Sequence, residues 1–268
     1  MGVQTKLEWR FIFNFIKTGY DKLKPFGFPI HGAIDGYSRK VLWLEVVRSN
    51  NSPTVPAQLF LHAVKEVKGC PLLLRTDCGT ENGKMAAIQC YFRADAHDQL
   101  AGENAHQYGT STRNQRIENW WSHFRKMRSH WWINFFKDMS SSGLLDVGND
   151  LHKECLWFCF YRILNEDLQK TMTSWNSHHI RPSRHDCIPG SPDVLYFLPE
   201  RSGGVNNLQT VSSAKITEME LQQENDEGIE DNDCQEYFHY LMENEEIQYP
   251  TSPEEAFNVY QRLINIAV

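Results

Sequence analysis

The chain has 268 residues, 41% hydrophobic and 12% aromatic, which fits a globular protein with one sizeable core and excludes a disordered chain. No apolar run approaches the roughly 20 residues that cross a bilayer, and the start, MGVQTKLEWRFIFN, lacks a small-residue cleavage site, so neither a membrane span nor a signal peptide is expected. The net charge of −7 hides a split: residues 216–268 hold fourteen acids against one base, Arg262, leaving 26 of the 27 bases and 20 of the 34 acids in residues 1–215. A basic body with net charge +6 suits a polyanion, and an acidic tail can screen that body or engage a protein partner.

In chain order, FIFNFIKT (11–18) reads as a strand. HGAIDGYS and KVLWLEVV read as a hairpin turning at Gly36, Tyr37 and Ser38. Asn51-Ser52-Pro53 is expected to cap a helix that Gly69 stops, and CPLLLRTD forms the next strand. Residues 84–93 suggest a second helix, with a short strand near His106–Tyr108.

From Asn114 a long helical stretch places Ile117, Trp120, Trp121, Phe124 and Met127 on one buried face. The tryptophans at 120–121 and 131–132 are read as core, with base stacking as the alternative. Another long helix runs through LHKECLWFCFYRIL and ends before Pro182. Within it Cys155 and Cys159 read as core rather than as metal ligands. The seven cysteines, odd in number and without a CxxC pair, are expected to be reduced thiols. HHIRPSRHD (178–186) reads as a basic surface loop. Residues 201–268 are expected to be an acidic, largely disordered tail that PEEAFNVYQRLINIAV can close as a terminal helix.

The apolar run Leu72–Leu74 leads straight into Arg75, Thr76 and Asp77. Asp77 thus stands at the carboxyl edge of a buried strand, where α/β sheets place ligands and metals; the alternative is a turn-capping aspartate. Glu118, near the start of the long helix, is either a second ligand or a first-turn acid favoured by the helix dipole. Two carboxylates can hold a hard divalent cation with water completing the shell, and a third would allow a metal pair. Arg113, Arg116, Arg125, Lys126 and Arg128 on the same stretch are candidates for nucleic-acid backbone contacts.

IDGYSRKVLWLEV, LRTDCGTENG, NQRIENWW and WNSHHIRPS…PGSPDVLYFLP resemble the integrase core of retroviruses, retrotransposons and DDE transposases, in particular the integrase-core-domain proteins that eukaryotic genomes derive from transposable elements. The resemblance spans roughly residues 16–200. It implies an α/β, ribonuclease-H-like domain over 11–200, with a mixed five-stranded sheet flanked by helices and a long helical extension. It also implies Mg²⁺- or Mn²⁺-dependent DNA cleavage and joining by an Asp, Asp, Glu triad, homo-oligomers, and a nuclear setting.

Position by position, the second triad residue falls on Asp77 and the third on Glu118, 41 residues on. The first falls at Thr18 in FIKTGYDKLK, where a neutral hydroxyl cannot replace a carboxylate. Asp35 is the nearest acid on the following strand and the remaining candidate ligand. The resemblance therefore implies a DNA-processing domain with chemistry impaired at its first position; the alternative is an inactive domesticated fold that binds nucleic acid or protein.

Overall fold

The computed structural model describes residues 14–109, 115–182, 188–226 and 233–267. Strands β1 (Asn14–Tyr20), β2 (Ile30–Asp35) and β3 (Val41–Val46) form an antiparallel meander. Helix α1 (Thr54–Val67) then crosses over, a two-residue strand β4 (Gly69–Cys70) follows, and β5 (Leu73–Thr76) joins β1 in parallel. After α2 (Gly83–Phe92), the short β6 (His106–Tyr108) pairs in parallel with β5, completing a mixed five-stranded sheet in the order β3-β2-β1-β5-β6.

Both faces of this sheet are covered, which is why all six residues of β2 are buried. On one face α1, α2 and the later α7 (Ser213–Asp226) pack on Ala33, Trp43 and Leu74. On the other lie α3 (Gln115–Phe124), α4 (His130–Ser141) and the 28-residue α5 (Asp150–Ser177), meeting Ile30, Ile34 and Leu44. Cys155 and Cys159 are buried in that second core, as the sequence suggested.

The long helical stretch is broken by a π turn, Arg125–Ser129. At about 100° per residue, Trp132 would sit roughly 80° out of phase with Phe124 in an unbroken α-helix. Absorbing one extra residue in the π turn brings Trp132, Ile133, Phe136 and Met139 back onto the buried face of Ile117, Trp120, Trp121 and Phe124. The turn corrects one sequence expectation. Met127 rotates outward and is 52% exposed, while Ser129 turns in, where its hydroxyl lies 2.6 Å from the buried Tyr20 phenol.

Asn51 and Ser52 do not cap α1. Its N-cap is Pro53, with no side-chain cap bond, and it ends on Lys68 in the left-handed region at φ 53° rather than on Gly69. Gly69 instead enters β4, which pairs with β7 (Gln209–Thr210).

The larger correction concerns residues 201–268. Where described, they form α7, α8 (Asp233–Asn244) and α9 (Pro253–Ala267) after the short α6 (Pro192–Phe197). Phe238, Leu241 and Met242 of α8 and Ala256, Val259, Tyr260 and Leu263 of α9 are buried against α5, with Tyr260 Oη 2.7 Å from His152 Nδ1. Among the described residues, the acids of α8 and α9 lie on the exposed faces of amphipathic helices whose inner faces complete the core.

The open edge of β3 is closed by side chains of α5. Asn165 accepts from Val46 N (3.2 Å), Gln169 donates to Leu44 O (2.9 Å), and Asn176 pairs with Val41 N and O (2.8 and 2.9 Å).

Candidate functional site

The site lies where β1 and β5 end. Lys17 is level with Thr76 in the parallel ladder, so one residue further on Thr18 and Asp77 stand side by side on adjacent strands. Asp77 follows the last residue of β5 and is half-buried. The turn after it is organised by Asn82, whose side-chain Nδ2 donates to Asp77 Oδ1 at 2.7 Å, to Asp77 O at 3.2 Å and to Glu81 Oε1 at 3.1 Å. Asn82 is fully buried, and nothing in local propensity singles it out. At the neighbouring strand end, Thr76 Oγ1 meets His106 Nε2 at 3.0 Å, and burial holds that imidazole below its ordinary titration range.

Glu118 enters on the first turn of α3. The residue is exposed as a whole, but its carboxyl end is sheltered enough for burial to raise its pKa, and the charge of Asp77 raises it further. Asp77 and Glu118 thus share one electrostatic neighbourhood.

Asp35 is elsewhere. It pairs with Phe15, three residues before Thr18, which sets it about 10 Å along the strands and two strand spacings across from Asp77. It is fully buried, and its Oδ2 accepts from Tyr37 N (3.1 Å), Ser38 N (2.6 Å) and Ser38 Oγ (2.6 Å), closing the hairpin turn. Burial raises its pKa; the Ser38 and Tyr37 bonds and the charge of Arg116 oppose that rise.

The basic candidates divide by partner. Arg116 donates to Gly36 O and, at 3.4 Å, to Tyr37 O, pinning α3 to the same hairpin. Arg128 binds both oxygens of Asp167 through Nε, at 2.7 and 2.6 Å, and Trp132 Nε1 donates to the same carboxylate at 2.8 Å. Arg125 and Lys126 are exposed on the π turn, and Arg113 lies outside the described residues. In HHIRPSRHD, His178 and His179 are exposed, while 183–186 lie outside the described residues.

Asp77 and Glu118, whose charges act on one another, are oxygen donors of the kind a single hard cation takes. They do not fit a pair, because the strand position beside Asp77 is threonine and, among the described residues, no three His, Cys, Asp or Glu gather in metal-binding geometry. Among the described residues no helix is long and apolar enough to cross a membrane. A search of curated proteins returns no match. A family model described as integrase core domain matches residues 15–197, about two thirds of the chain, covering the sheet, Asp77 and Glu118. The chain belongs to the integrase core domain family.

Proposed function

We propose that this chain is a transposon-derived integrase core that binds DNA and has lost efficient strand cleavage and joining at its first acidic position. The observation that carries this reading is the β1–β5 register, which sets threonine rather than a carboxylate beside Asp77. A single Mg²⁺ or Mn²⁺ held there would supply Lewis-acid activation of an oxygen nucleophile toward phosphorus. Asp77 and Glu118 are the residues that would hold it. Arg125 and Lys126 are placed to neutralise backbone phosphates. Arg116 and Arg128 have structural partners in the hairpin and in α5.

The test compares the parent chain with Thr18→Asp and Asp77→Asn, by Mn²⁺ titration calorimetry and by nicking of supercoiled plasmid. The reading expects weak metal binding and no nicking in the parent, tighter binding in Thr18→Asp, and loss of binding in Asp77→Asn. Nicking by the parent that Asp77→Asn abolishes would show a working enzyme instead.

A further inference from the structure

We infer that Trp131 is a base-stacking residue and that the outer face of the α3–α4 rod selects unpaired, single-stranded DNA. The inference rests on the DNA-binding reading above and adds the substrate class.

Four observations converge on this face. From Asn119 to Lys137 the chain carries no acid, while Arg125, Lys126, Arg128 and Lys137 alternate with His123 and His130. Trp120, Trp121 and Trp132 are 1–5% exposed, whereas Trp131 is 42% exposed, the one tryptophan of the described residues that stands out from the surface. Phe135 backs one face of the Trp131 ring, with centroids 5.2 Å apart and planes 14° apart, so the indole is held rigidly at the surface. The π turn sets the alignment. Its wider winding, with residues five apart brought together, places Lys126 and Trp131 on the same side of the exposed face.

Arg128, paired with Asp167, lies 5.7 Å from the Trp131 ring centroid, and Arg125 and Lys126 are exposed on the π turn beside it. A rigid aromatic plane beside exposed cations is the chemistry of single-strand recognition. Phosphates meet the cations, and each base offers a π-face to stack whatever its identity. A duplex keeps its bases stacked on one another and has none to offer to an indole on a convex helix. Trp131 stands thirteen residues from Glu118, about 20 Å along the same rod, so a strand reaching the indole can also pass the carboxylates. Leaving this much indole in water is otherwise unfavourable for a side chain that could pack like its three neighbours.

The experiment measures fluorescence anisotropy of a labelled thymidine oligomer and of a blunt duplex with the parent, Trp131→Ala and Trp131→Phe, at two salt concentrations; thermal melting confirms that each variant is folded. Single-strand binding is expected to fall about ten-fold in Trp131→Ala and to be mostly retained in Trp131→Phe. Duplex binding should change by less than about two-fold. The parent's intrinsic fluorescence should be quenched by the oligomer and the quench lost in Trp131→Phe. If the duplex binds and single-strand affinity is unchanged in Trp131→Ala, or both affinities fall together, the stacking role is overturned and the DNA-binding reading stands. If neither form binds, that reading falls and this inference with it.

Discussion

Asn82 holds Asp77 in place: one buried amide nitrogen donates to the Asp77 carboxylate at 2.7 Å and reaches Glu81 at 3.1 Å. Two acids are thus tethered to one donor at the strand edge. Removing the amide frees the orientation of both carboxylates and takes a charge-assisted hydrogen bond from half-buried Asp77, so Asn82→Ala should destabilise the fold by about 1–3 kcal/mol in urea unfolding. Asn82→Asp sets a third carboxylate against the other two. It should be worse at pH 7 than at pH 5, and a variant as stable as the parent at pH 7 would contradict the tether.

Glu118 titrates above the ordinary carboxyl range, first because of burial and second because of Asp77. Asp77→Asn removes the second cause, so the Glu118 midpoint should move down, read by carboxyl-carbon NMR. A midpoint that stays put would mean that the two carboxylates do not sense each other.

Asp35 follows the same sign more strongly coupled to the core, since burial raises its pKa. A carboxyl raised in the folded state binds its proton more tightly folded than unfolded. Its contribution is therefore greatest at low pH and is lost as pH rises from the unfolded Asp value, about 3.9, through the raised folded value. Asp35→Asn keeps an acceptor for Tyr37 and Ser38 but abolishes that loss. Urea unfolding of the variant should show a flatter stability profile than the parent as pH rises above the unfolded Asp value, with the variant at least as stable as the parent at neutral pH.

Deleting a residue from a buried helix normally throws half of it out of phase. At Met127 the opposite is expected, because the deletion removes the extra residue that the π turn absorbs and leaves Phe124 and Trp132 seven apart. The deletion variant should fold and melt within a few degrees of the parent, while deletion of Ile133 should not fold. Circular dichroism melting separates the two outcomes.

Leu263 on α9 is fully buried, so Leu263→Ala should cost about 2–5 kcal/mol, a penalty a dispensable tail could not impose. Guanidinium unfolding measures it.

Much of the sheet was legible because hydrophobic runs and turn residues are local signals. The hairpin at Gly36–Ser38, the buried LLLRT run and the two long helices all follow from spacing. The place of Asp77 at a strand edge was legible from the LLLRTD run, and that of Thr18 beside it from the resemblance. Three features were hidden for physical reasons. The π turn leaves only an eight-residue gap between Phe124 and Trp132, indistinguishable in sequence from a break in the stripe. Helix α9 was legible as a terminal helix, with Ala256, Val259, Tyr260 and Leu263 at helical spacing. Its packing and that of α8 on α5 join residues about a hundred apart in sequence, which no local pattern encodes. Arg128 meets Asp167 across 39 residues, and long-range partners of flexible cations leave no local trace. Asp35 shows the converse: a carboxylate beside a motif can belong wholly to a turn.

The amides of Asn165, Gln169 and Asn176 occupy backbone groups of β3 that a sixth strand would otherwise use. The opposite margin, β6, is only three residues long. The β3 border is thus occupied and the β6 border is short, both of which disfavour edge-to-edge strand pairing. Exposure of the β3 edge on heating requires the C-terminal half of α5 to peel away.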